Sequence, residues 1–255
     1  MRKMKTQYIV LAVVFCLASS SVFAGDAQKT RLSQFLHSSS VNEQQKAFIL
    51  IIADDNKYKD LVLTELEVYL NKPNKTPDAL LYLAAYIRDR RYIRPLSKLI
   101  NNDNYSANHC IYSCPIVFSL VVFSSFTEYS LPVLDDKLAA VQDLKSEGDR
   151  VKHISLELNP VYIYASGPGI DQLLHELEAL PLSEVIKIAG SQTADGDKRM
   201  AAAIVLQARV MDDRYLKELY WLAIKNLPND ASGEYRGAIH WAIYKAETYR
   251  KKKNT

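Results

Sequence analysis

The residues best equipped for chemistry lie in the stretch NHCIYSCP, where Cys110 and Cys114 stand four apart beside His109. In an oxidising compartment two neighbouring thiols most often pair with each other, so a structural disulfide is the leading expectation and two reduced, buried thiols the alternative. In a regular helix, positions i and i+4 keep their β-carbons about 5–6 Å apart. A disulfide wants about 3.5–4.5 Å. The bond therefore needs an irregular turn, and Pro115 supplies one: it disfavours a helical residue before it and fits the first turn of a helix. A zinc site from His109, Cys110 and Cys114 lacks a fourth ligand and the usual spacing. A redox motif would more commonly hold two residues between its thiols.

Other candidates are weaker. His175-Glu176 in HELEAL lacks the second histidine of a metalloprotease helix, because the matching position is Ala179, and solvated polar groups are the better reading. Ser166-Gly167-Pro168-Gly169 has neither the Gly-x-Ser-x-Gly elbow of a hydrolase nor the length of a phosphate loop. His37, His109, His153 and His240 share no acidic neighbour pattern. No catalytic residue, metal ligand or cofactor is expected. The aromatic content, 16 Tyr and 2 Trp, points elsewhere. Tyr82 and Tyr86 fall off the apolar stripe of their helix, as do Arg236, His240 and Tyr244 on the last one. Tyr and Arg on a rigid helical face are favoured anchors for a protein partner, so these five form the expected binding face. Packing against a neighbouring repeat or the irregular middle segment is the competing reading.

The elements that position these residues begin after a targeting segment. Arg2, Lys3 and Lys5 precede an apolar core, Tyr8 to Ala18, too short to span a bilayer, and Val22-Phe23-Ala24 offers a signal-peptidase site. Cleavage is expected after Ala24, leaving a periplasmic or secreted protein with no integral membrane segment. Residues 25–255 then hold 29 basic and 29 acidic residues, so the electrostatic footprint of a nucleic-acid binder is missing. The basic cluster at 250–255 reads as a solvated tail. With 8 Gly and 9 Pro, few turn residues are present, which favours helices over a many-stranded sandwich.

Helical periodicity recurs from Gln28 to Arg250. VNEQQKAFILIIADD places Ala47, Phe48, Ile51 and Ile52 on one face. Thr76-Pro77-Asp78 is the strongest helix start, with a capping hydroxyl, a proline that needs no amide, and an acid at the positive helix end. The helix after it puts Leu80, Leu83, Ala84 and Ile87 on one stripe. Downstream, helices are expected over Ile170–Leu180 and Leu182–Ala189, the second stopped by Gly190. The segment 151–166 fits either a helix or a hairpin, and we favour a helix ending near Asn159.

Asp-x-[Lys/Arg]-Tyr occurs three times, at Asp55, Asp89 and Asp212, each time heading an amphipathic run. Asp suits an N-cap, and Tyr three positions on can pack back across the turn, so the motif marks a tight helix–helix junction. RRYIRPLSKLI with the helix after it, and DRYLKELYWLAI followed by EYRGAIHWAIYKAE, resemble HEAT-type repeats over about half of the mature chain. That resemblance implies an all-α array of antiparallel helix pairs in one domain, 25–255, irregular over 131–192. A stacked helical array offers a long surface for another protein rather than a catalytic pocket. The expected function is a non-enzymatic periplasmic binding or scaffold protein, in its narrower form an immunity-type inhibitor. The rival is an enzyme acting on cell-envelope material with its site in 131–192.

Overall fold

A computed structural model describes residues 26–72, 76–101, 115–126, 168–225 and 233–253. The expected targeting segment, the expected disulfide residues Cys110 and Cys114, and the ambiguous stretch 151–166 lie outside the described residues. The described chain is all helical, without a strand. Helix α1 covers 26–37, α2 Val41–Ile52, α3 Asp55–Tyr69 and α4 Asp78–Ile87. A 3-10 turn, Arg90–Tyr92, leads into α5, Ile93–Asn101, and α6 is Pro115–Phe126. Then come α7 Pro168–Glu178, α8 Leu182–Ala189, α9 Gly196–Arg209, α10 Leu216–Lys225 and α11 Gly233–Lys253.

Two helices are central. Every residue of α4 from Ala79 to Ala85 is buried, because α2, α3, α6 and α10 surround it. In α9 the run Ala201 to Gln207 is buried in the same way among α7, α8 and α11. Small alanines on both helices let these neighbours approach closely. A helix enclosed on all sides has no solvent stripe, so the amphipathic reading of α4 fails for a physical reason. The two groups share one core: α2 packs on α10, and α6 on α11.

The junction motif caps a helical start in one of its three copies and makes the same Asp–Arg bonds in a second. Asp89 is the N-cap of the 3-10 turn and accepts from the Arg91 amide at 2.9 Å, while the Arg91 guanidinium grips both its carboxylate oxygens. Those hydrogen bonds hold the Asp89 carboxyl below its ordinary pKa. Asp212 makes the same side-chain bonds, accepting from the Arg214 amide at 2.9 Å with the Arg214 side chain on its second oxygen, but in a turn that precedes α10, which begins only at Leu216. Tyr92 is buried and donates to the Lys59 carbonyl at 2.7 Å, fastening the junction to α3. In the third copy Asp55 lies inside α3, whose N-cap, Asp54, makes no side-chain cap.

Local details correct two expectations. Helix α4 starts after Pro77, and the Thr76 hydroxyl caps nothing: it is buried without a hydrogen-bond partner. Helix α8 does end at Gly190, but in an ordinary conformation, φ −89°, not a left-handed one. Glycine is required there for space. A β-carbon would lie 2.8 Å from the Trp221 ring and 2.9 Å from Leu222.

Candidate functional site

Of the five expected binding residues, Tyr82 and His240 meet each other inside the protein, while Tyr86, Arg236 and Tyr244 are half-buried on the same two helices. Helices α4 and α11 run side by side in the same direction, joined by a polar seam. Asp78 pairs with Arg236 at 2.9 Å, and the Tyr82 hydroxyl meets His240 Nε2 at 2.7 Å. Further along, Arg88 pairs with Glu247 at 3.0 Å, and Arg250 donates to the Tyr86 carbonyl at 3.0 Å. Tyr82 and His240 are fully enclosed, with His240 stacked on Phe118 at 4.1 Å, so neither can touch a partner. Tyr86 is half-buried beneath Arg250, whose guanidinium lies 4.5 Å from the ring centre. Tyr244 packs on Trp241 and Phe126. These side chains fell off the apolar stripes because two central helices use polar groups to reach each other.

Glu247 anchors the seam. It is completely buried, accepts from the Tyr220 hydroxyl at 2.9 Å and is flanked by Arg88 and by Arg250 at 2.8 Å. Burial, reinforced by the Glu247 charge, holds the Tyr220 phenol well above its ordinary pKa. Burial likewise raises Asp78 against the opposing pull of Arg236. Arg88 has φ 57°, the left-handed conformation that usually selects glycine at a helix end. The side chain explains the choice: only a long cation there reaches Glu247.

A second polar constellation has the composition of a catalytic relay. His37 Nε2 lies 2.6 Å from Glu65, and the Tyr69 hydroxyl lies 2.6 Å from Nδ1. With its proton on Nε2, His37 donates to Glu65 and accepts from the Tyr69 hydroxyl at Nδ1, so all three groups are satisfied within the chain. Burial first, and the Glu65 charge second, raise the Tyr69 pKa, which opposes formation of a nucleophilic phenolate. This is a clasp that ties the end of α1 to α3. His175 and Glu176 are exposed on α7, the solvated polar groups expected there. No cluster of three metal-ligating side chains occurs among the described residues, and no helix there is long and apolar enough to cross a membrane.

The surface feature that sequence reasoning missed lies between α1 and α2, which form a hairpin through 38–40. An open groove of about 430 Å³ runs between them. Leu32 is its buried floor and Phe35 a half-buried wall. Ile49 and Leu50 stand on the opposite wall with 48% and 46% of their surface exposed. Arg31 and Lys46 contribute one cation to each wall, and no carboxylate lines the groove. Arg31 lies over Phe35, 5.3 Å from the ring centre.

Comparison of the chain with protein-family models, curated proteins and solved structures finds no match. Function must therefore be read from these side chains. The groove did leave a trace in the sequence: Phe48 to Ile52 are five apolar residues in a row. A helix that buries Phe48, Ile51 and Ile52 must turn Ile49 and Leu50 the other way.

Proposed function

We propose that this chain is an exported, non-enzymatic scaffold that binds another protein, and that the α1/α2 groove is its contact surface. The exposed Ile49 and Leu50 carry the reading, because isolated apolar residues are ordinary while an apolar trough with a polar rim marks an interaction site. The Asp89 and Asp212 junctions support a helix-pair, HEAT-like organisation. The targeting segment before Ala24 supports the periplasm or the exterior as its location. An immunity-type role, blocking a toxic enzyme, is the narrower form. The test is affinity capture from periplasmic extract with the mature protein and its Ile49→Glu variant in parallel. The reading requires a partner held by the first and lost by the second. A partner held equally by both, or by neither, overturns it.

A further inference from the structure

We infer that the groove receives an amphipathic helix whose apolar stripe is flanked on both sides by Asp or Glu; this rests on the binding role above and names the chemistry of the partner. Two antiparallel helices with an open apolar trough lack the third helix that would complete a local three-helix packing, and helix-in-groove docking is a recurrent mode of recognition. The α1 residues along the trough, 28 to 35, cover about 10 Å, or two helical turns. A helix of that length presents anchors at i, i+3 or i+4, and i+7, and Phe35, Ile49 and Leu50 are placed to interleave with them.

The walls add a charge rule. Arg31 on α1 and Lys46 on α2 both line the groove, and no ion pair is seen for either among the described residues. A stripe flanked by carboxylates would place one opposite each cation, the arrangement by which flanking charges select coiled-coil partners. A lysine-flanked stripe of the same apolar residues would meet like charge on both sides. The rule therefore specifies what is rejected as well as what is accepted.

Two labelled peptides of about 14 residues, four helical turns, test this directly. Both carry the same leucine stripe, one flanked by Glu and the other by Lys, and each is titrated into the full mature protein by fluorescence anisotropy. The Glu-flanked peptide should bind about tenfold more tightly or better, since like-charge juxtaposition costs more than the 1.4 kcal/mol of one decade. The double reversal Arg31→Glu/Lys46→Glu should invert that preference, and Leu50→Glu should abolish binding of both. All variants substitute exposed residues, and unchanged melting curves would verify their fold. Equal affinity for the two peptides, a preference that survives charge reversal, or binding indifferent to Leu50→Glu overturns the inference. So does a dimer of the free protein that Leu50→Glu dissolves, which would make a second copy the occupant. A captured partner lost with Ile49→Glu but retained by the charge-reversed protein would sink the acidic helix and leave the scaffold reading standing.

Discussion

The α4–α11 seam and the α1/α2 groove invert the usual distribution of side chains. The seam buries tyrosine, histidine, glutamate and arginine; the groove leaves isoleucine and leucine in water. The seam is closed chemistry, since its groups consume one another: Tyr82 with His240, Asp78 with Arg236, Glu247 with two arginines and a phenol. The groove is open, since nothing among the described residues covers its apolar walls. Residue type alone therefore misassigns both. What separates an internal strut from a recognition surface is whether the group's partner already lies within the same chain.

The largest expected effect tests how completely the seam is satisfied. Glu247→Ala would leave Arg88 and Arg250 as partly buried cations without their carboxylate. Unfolding in urea should show a loss of about 3–5 kcal/mol, the usual cost of breaking a buried ion pair from one side. A loss below about 1 kcal/mol, the range of surface pairs, would mean that water already reaches the cluster. Next comes Tyr82→Phe, which removes one hydroxyl and leaves His240 Nε2 short of its partner. About 1–3 kcal/mol should be lost, the penalty for an unsatisfied buried polar group. Exposed tyrosines tolerate the same change almost silently, so a neutral result would return Tyr82 to the surface.

The third effect is read against pH. Tyr220 has a folded pKa raised above its unfolded value of about 10. Its contribution is fully present below that pH. Above it the unfolded chain releases a proton that the folded protein keeps, and stability falls by about 1.4 kcal/mol per pH unit. Burial shifts Tyr92 in the same direction. Burial lowers the Lys225 and Lys245 pKa values, which tilts the curve the other way at slightly lower pH. The informative quantity is thus the difference between wild type and Tyr220→Phe. The variant's curve should be shallower above pH 10, and parallel curves would show that Tyr220 ionises freely in the folded state.

The smallest effect belongs to the groove. Leu50→Glu should change the melting temperature hardly at all, within about 0.5 kcal/mol, as exposed substitutions do. If it instead destabilises by several times that amount, Leu50 is covered by its own chain and the groove is core.

Features governed by near neighbours were legible in the sequence. The boundaries Leu182–Ala189 follow from a turn residue at each end and an apolar period between them. The Asp89 and Asp212 junctions follow from a motif of four residues whose Asp, backbone amide and Arg all meet locally. The seam was not legible as a seam. Its residues were read as a face for a partner because their contacts lie on other helices, and no local period reports that α4 is enclosed on every side. Arg88 was invisible for a related reason: a left-handed arginine is explained only by a glutamate far along the chain. The groove was half legible, because the surplus of apolar residues in Phe48 to Ile52 shows in the sequence while the second wall, from α1, does not.

The parallel pairing of α4 with α11 also sets an order of events. Its contacts join residues 158 to 164 positions apart. At ribosomal rates, about 5–20 residues per second, α11 is delivered roughly 8–30 seconds after α4. Until then the contacts of Asp78 with Arg236, Tyr82 with His240 and Arg88 with Glu247 cannot form. A chain whose central helix makes its polar seam with the final one keeps that seam open through most of its synthesis, as contacts of such long range dictate. The delay also makes the C-terminal helix a completion check, since a product cut short before Gly233 would lack the Arg236, His240 and Glu247 that close the core.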